Sequence, residues 1–442
     1  MFSRGDTSRN RLLKNTSDSS KMSKNLKKTT TISVIEVADI ASEKSDLSSN
    51  DSETKLVLGA KDKTKSSCCT IVVKLLVSAL CGLVFGFVLQ KARVFEPISI
   101  RNQMVFESFI MLKTFLSAVA GGQLCFIILS VVPPFKGKFE KAVEEYISCF
   151  TEKSLFTSGL GAFMLGIGMT LSGSCPAMVL VQIGSWVPNA IFTLLGCLTA
   201  ALLYGMVAPF IQRLTRPKNP LKKQSLPETF KLPFFAIALP MTVLLGIVIF
   251  IIEWFWPWTK DANLIDRSNP SSANVITAVS WPPYASGILL GITQIPLVLF
   301  VEDTLGGSSS YVTMVSQWVV TERLQKLFPY LANKRTGVGN WWQVFLVSGA
   351  VIGALLSAVS STTLASSHGV QAHVGFFGGF MMIVGARFAA GCTSGHGLSG
   401  LGLLIWMSFV AVPFMFGGAI ATGYAMKATG VLYVYVDSIG AI

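Results

Sequence analysis

From about residue 70 onward the chain runs through one apolar stretch after another, each near the roughly 20 residues that cross a bilayer as a helix. No other feature narrows the fold as far. Lipid offers backbone N–H and C=O groups no partners, so such stretches must close their own hydrogen bonds as helices or be enclosed by other protein. Charged residues make up 13% of the 442 positions, against roughly 25% in soluble domains. The stretches fall at about 71–90, 112–132, 157–182, 189–211, 233–256, 284–301, 341–362, 374–404 and 406–426. The expected fold is an all-α polytopic membrane protein with about nine transmembrane segments.

Two of these stretches are poor spanning helices. Residues 157–182 contain "GSCPA" and residues 374–404 contain "GCTSGHG". Both are expected to dip, break and return as re-entrant segments. They also match one another. Aligning "GIGMTLSGSCPAM" (166–178) with "IVGARFAAGCTSG" (383–395) sets Gly168 on Gly385 and Cys175 on Cys392, each cysteine preceded by three small residues. Those are Ser172-Gly173-Ser174 in one case and Ala389-Ala390-Gly391 in the other. Upstream, "GLVFG" (82–86) lines up with "GILLG" (287–291). The chain therefore reads as two repeats, 71–215 and 280–430, joined by a linker with a central transmembrane helix at 216–279. Four crossings per repeat and one between them make the repeats inverted, with the broken segments meeting near the midplane.

The ends are polar. Residues 1–70 mix Lys, Arg, Ser and Thr and are expected to be a disordered tail, and 431–442 a short C-terminal tail. No signal-peptide core follows the start. The tail is either a phosphorylatable or lipid-attracted arm or a solvated extension. The net charge of +13 comes without an aromatic-basic stripe, so nucleic acid is set aside and the bilayer is the partner. Loops 134–156, 212–232 and 302–340 carry fourteen Lys and Arg residues against five in 91–111, 183–188, 257–283 and 363–373. That imbalance predicts a cytoplasmic N-terminus. The expected location is the plasma membrane. Trp341 and Trp342 read as interface anchors.

The cysteines carry the functional reading. No CxxC pair or Cys/His cluster with zinc spacing occurs, so neither metal nor cofactor is expected, and no nucleotide-binding loop suggests an ATP-driven pump. Cys81, Cys125 and Cys197 read as small buried hydrophobes, and Cys68 and Cys69 adjoin the first span, where palmitoylation is one option. Cys175 and Cys392 differ because the repeat matches them. Glycines permit the turn that ends a half-helix, and a half-helix starting just beyond presents free amides to an anion. Pro176 suits a first helical position. Ser172, Gly173, Ser174, Gly391, Thr393 and Ser394 complete a small, donor-rich pocket around the two thiols. Thiols are weak, polarisable donors suited to a compact anion with a soft sulfur atom. His396 is either a satisfied hydrogen-bonding residue or one with a substrate or proton role. Arg387 either draws in anions or bonds carbonyls, and Lys91 and Arg93, with Arg101, are placed to form an anion funnel.

The segments "GMTLSGSCPAMVLVQIG" and "GARFAAGCTSGHGLSG", with "GFVLQKARVFEP" upstream, resemble the YeeE/YedE sulfur-transport family over about residues 71–430. The resemblance implies an all-helical inverted-repeat fold with re-entrant loops and thiosulfate passed by hydrogen bonds between cysteines, Cys175 and Cys392 matching the two midplane thiols. The family often has a third thiol where this chain reads "KARVFEP" with Val94 and Phe95. Two classes of function follow. One is a transporter of thiosulfate or a related sulfur or selenium anion, with a cytosolic sulfurtransferase as a conceivable partner. The other is a membrane sulfur-transferase that forms a persulfide on Cys175 or Cys392. Activating a cysteine needs a base or a positive field, and His396 is the single base near either thiol, which favours transport.

Overall fold

The computed structural model describes residues 50–150, 153–215, 225–264 and 274–437. The expected polar tail through residue 49 lies outside the described residues, as do parts of the linker and the last five positions. Among the described residues nine helices are long and apolar enough to cross a membrane: Cys69–Lys91, Ile110–Val131, Leu155–Ser172, Ala190–Arg213, Phe234–Phe255, Pro283–Val301, Val338–Ser360, Ala372–Ala389 and Trp406–Ala428. There is no β-strand among them, only two isolated bridges.

In chain order, α1 is Asn50–Lys91, α2 Pro97–Met104, α3 Ile110–Val131, α4 Pro133–Ser148, α5 Leu155–Ser172, α6 Met178–Gly184 and α7 Ala190–Thr215. Then follow α8 Phe234–Phe255, α9 Pro283–Ile292, α10 Ser308–Val315, α11 Val338–Ser360, α12 Ala372–Ala389 and α13 Trp406–Ala428. The π-helical turns Leu297–Val301 and Thr393–Gly400 extend α9 and follow α12. The two expected broken segments resolve into a long helix, a turn and a short helical piece: α5 then α6, α12 then Thr393–Gly400.

The sequence reading placed 91–111 and 302–340 in loops outside the membrane. The structure instead buries much of each. Short helices α2 and α10 sit inside the bundle, with Ile100, Met104, Tyr311 and Val312 fully enclosed. The polar composition that suggested a loop is neutralised locally. Arg93 pairs with Glu96, and Arg101 donates to the carbonyls of Thr170 and Leu171 at the end of α5 and to Leu432 and Val434. Trp342, expected at the lipid interface, is buried at 1% exposure, while Trp341 is half-buried.

Helices meet at glycines. A Cβ on Gly82 or Gly86 of α1 would stand 1.8 or 1.9 Å from the carbonyl oxygen of Leu346 or Ala350 on α11. Gly287 and Gly291 of α9, their counterparts in the repeat, lie against the α3 backbone at Thr114 and Gly122. Lipid gives apolar side chains no reason to prefer a neighbouring helix, so close backbone approach through small residues is what drives such packing. The central helix α8 is anchored to α3 by polar contacts: Lys113 pairs with Glu253 at 2.7 Å and Thr242 donates to Gln123 at 3.0 Å.

Candidate functional site

Four turns interrupt the bundle, and each contains a residue with left-handed backbone: Arg93 (φ 58°), Gly173 (φ 56°), Glu302 (φ 63°) and Ala390 (φ 64°). Gly173 and Ala390 are the C-caps of α5 and α12, and they occupy the same column of the sequence repeat. Glycine reaches this conformation freely, whereas a residue with a Cβ is strained by roughly 1–2 kcal/mol. Ala390→Gly is therefore expected to raise the thermal midpoint slightly, by the equivalent of about 1 kcal/mol. The reverse change at Gly173 is expected to damage folding, because its Cβ would also lie 2.6 Å from Pro97 Cβ.

Side-chain amides tie the turns together. Gln182 of α6 donates to the carbonyls of Phe95 and Gly173, both at 2.9 Å, and so joins the first turn to the second. Gln294 accepts from the Leu305 amide and donates to Ser399, which in turn donates to the Leu305 carbonyl. Tyr311 donates to the Pro176 carbonyl. These contacts tie the turns to one another in pairs.

Cys175, in the second turn, is buried and borders a small cavity of about 60 Å³. Its walls are mostly apolar, including Phe85, Leu89, Val94, Met111 and Phe115, and Thr393 and Ser394 face it from the other side. The buried Thr393 hydroxyl is within hydrogen-bonding reach of the Cys175 thiol. Val94, at the place of the third thiol of the resembled family, lines this same cavity. Cys392 borders a different space, a wider vestibule of about 240 Å³. Its Sγ lies 3.2 Å from Ser394 Oγ. Ser394 thus touches one thiol and faces the cavity of the other.

The remaining candidates divide clearly. Ser172 donates to Gly168 at 2.7 Å and Ser174 to the Cys175 carbonyl at 3.3 Å, and neither borders a described cavity. Gly391 is needed for space, since its Cβ would stand 2.8 Å from the His396 ring. His396 is buried and held at both nitrogens, by Ser408 at 3.1 Å and the Ala389 carbonyl at 3.0 Å. Lys91 donates to Ala278 at 2.8 Å, and Arg93 stacks on Phe95 beside its Glu96 partner. Arg387 alone of the expected funnel residues lines the vestibule with a thiol. Sequence reasoning passed over Cys149, Lys153 and Asp303, which line it too. They lie in connecting segments without a repeat counterpart, so no pattern marked them.

A family model described as sulphur transport matches residues 91–421, three-quarters of the chain and all four turns. The chain belongs to this sulphur transport family. Among its relatives is the thiosulfate transporter TsuA of Escherichia coli, 23% identical over 361 residues that cover 77% of this chain and 91% of the relative. The thiosulfate transporter TsuA of Spirochaeta thermophila is 24% identical over 356 residues, covering 77% and 95% respectively. Both matches extend over nearly the whole relative and about three-quarters of this chain.

Proposed function

We propose that this member of the sulphur transport family carries thiosulfate, or a similar small sulfur anion, past Cys392 and Cys175 by hydrogen bonding. The observation that carries the reading is Ser394, whose hydroxyl contacts Cys392 and faces the cavity bordered by Cys175. Thiol, hydroxyl and thiol form a short series of neutral donors. A dianion held by full positive charges at midplane would leave slowly, whereas neutral donors hold it only weakly. Thr393 adds a hydroxyl beside the Cys175 thiol. The repeats are inverted in this reading, the vestibule opens to the cytoplasm and the protein resides in the plasma membrane. A cytosolic sulfurtransferase would then find the substrate at the vestibule mouth. The persulfide alternative is weaker, because His396 is occupied by Ser408 and Ala389 and is not poised to activate a thiol.

The test is uptake of radiolabelled thiosulfate into cells lacking their own carrier, competed with sulfate, sulfite and selenite. Accumulation above vector controls is expected, and its absence at verified membrane expression would overturn the proposal. Cys197→Ala is expected to leave uptake within about twofold, because Cys197 is fully buried and contacts only packing partners such as the Gly379 carbonyl at 3.5 Å.

The vestibule also predicts a pH effect. Burial pushes the Asp303 carboxyl up to about 7, the nearby Glu145 adds to this, and the Thr304 N–H at 2.7 Å opposes it. The groups around it are Glu145, Lys153, Lys334 and Arg387, with Tyr146, Tyr204, Tyr330 and Cys149. Protonating Asp303 removes a negative charge from the path of an anion. Thiosulfate binding to purified protein is therefore expected to tighten as pH falls through about 7, and Asp303→Asn to flatten that dependence. Titration calorimetry across pH checks both.

A further inference from the structure

The wall of the vestibule holds an unusual group. Arg387, in the last turn of α12, is 9% exposed, and none of the ion pairs among the described residues includes it. Its two terminal nitrogens donate to the hydroxyls of Ser308 and Ser309, at the start of α10, while its Nε is buried with no hydrogen-bond partner. Ionisable residues at membrane depth are costly and usually answer to an opposite charge. The charge facing this one is not a fixed carboxylate in contact but a cavity of about 240 Å³. At roughly 30 Å³ per water that is room for a tetrahedral oxyanion with part of its hydration shell.

The local chemistry is directional. A guanidinium presents its donors in a rigid fork that matches the oxygens of a sulfonate or sulfate. Both serine hydroxyls accept from Arg387; that of Ser308 also contacts the Cys392 thiol, and the Ser309 proton is left to be donated elsewhere. Lys153 reaches the Arg387 carbonyl at 3.3 Å and so sits at the same wall. Cys392 lies five residues beyond Arg387 and borders the same space. One edge of the vestibule is thus hard and cationic, and the adjoining one is a soft thiol.

We propose that Arg387, Ser308 and Ser309 form an oxyanion-binding station beside Cys392, which holds the –SO3 end of the substrate while its terminal sulfur faces the thiol. The orienting role rests on the transport reading above; the oxyanion site does not. A symmetric oxyanion such as sulfate fills the station without presenting a soft sulfur, so it binds there and does not engage the thiol. Thiosulfate does both. The station accordingly sets the orientation of the substrate at the vestibule, oxygen end on Arg387 and sulfur end on Cys392.

The experiment measures binding of sulfate and of thiosulfate to the purified full-length chain in detergent, at fixed pH and low chloride. Wild type is compared with Arg387→Gln, Arg387→Lys, Ser308→Ala and Cys392→Ala. Sulfate is expected to bind wild type and Cys392→Ala equally, and to weaken at least tenfold in Arg387→Gln. Arg387→Lys should recover only part of that loss, because it restores charge without the fork. Ser308→Ala, which keeps the cation, should weaken sulfate severalfold and serves where Arg387 variants do not fold. Sulfate affinity unchanged in folded Arg387→Gln or in Ser308→Ala, or lost in Cys392→Ala, overturns the station. Absence of thiosulfate uptake by wild-type protein that still binds sulfate through Arg387 would instead sink the transport reading and leave the site standing.

Discussion

Cys392→Ala is expected to lower thiosulfate uptake by about ten- to hundredfold at matched membrane expression, and Cys175→Ala to do the same. Hydrogen bonds to a charged partner are worth about 1.5–3 kcal/mol, and each 1.4 kcal/mol is tenfold in an equilibrium constant. The neighbours cannot stand in, because Ser394 offers one hydroxyl shared with Cys392 and the Cys175 cavity is otherwise walled mainly by apolar side chains. Cys392→Ser keeps a donor of similar size and should retain partial uptake. Cys392→Asp should fall below alanine: two unit charges 4 Å apart repel by roughly 4 kcal/mol at an effective dielectric near 20. The expected order is Cys, Ser, Ala, Asp, read in one uptake experiment. Persulfide chemistry predicts instead that all three substitutions are equally inactive, since none of them can hold a sulfane sulfur. Serine indistinguishable from alanine would count against passage by hydrogen bonding.

The second large effect concerns folding. Gly86→Ala is expected to prevent recovery of monodisperse protein, or to lower its thermal midpoint well beyond the range of surface changes. The added carbon would stand 1.9 Å from the Ala350 carbonyl oxygen and 2.6 Å from its carbon. Overpacked sites ordinarily cost about 1–3 kcal/mol because a side chain can swing aside. Here the obstacle is main chain on both sides, so relief requires α1 and α11 to part. Gly246→Ala on α8 is the control, having no heavy atom within 4 Å of the added carbon. It should be neutral or stabilising, since alanine favours a helix over glycine by about 1 kcal/mol. Thermal melts of the two variants in the same detergent make the comparison. Similar melting of both would mean that the glycine crossings tolerate expansion.

Much of this architecture could be read from the residues, and the exceptions have a common cause. Seven of the nine spans lie within a few residues of the expected ones, because hydrophobic length is a one-dimensional property of the chain, while the helices of the two broken segments stop at Ser172 and Ala389, ten and fifteen residues short of the expected ends. The matched cysteine motifs located two turns, and the pairing of Gly173 with Ala390 even matched their left-handed caps. The other two turns escaped notice because their polarity is cancelled in three dimensions. "KARVFEP" looks like a solvated loop until Arg93 is seen against Glu96 and Lys91 against the Ala278 carbonyl. "EDTLGG" likewise conceals a turn whose Leu305 is clasped by Gln294 and Ser399. At the site, Cys175 and Cys392 stood out because they recur. That they border separate spaces, with Ser394 between them, depends on side-chain placement that no spacing rule encodes. Arg387 was noticed as a charge in an apolar run; its serine partners, almost eighty positions away, were not.

The glycine crossings bear on how such a molecule can move. Apart from the contact of α8 with α3, the large helix interfaces join an element before residue 256 to one after residue 282: α5 with α12 and α13, α7 with α12, α3 with α9, α1 with α11. The helices before and after the linker are interleaved rather than set side by side. Alternating access by rigid-body rocking needs a seam along which two bodies slide, and here that seam would run through backbones already in contact. Rocking would have to break these contacts, whereas turns and the side chains beside them can shift by a few ångströms on the nanosecond-to-microsecond scale of loops. The packing thus favours local rearrangement at the turns over the sliding of whole helices.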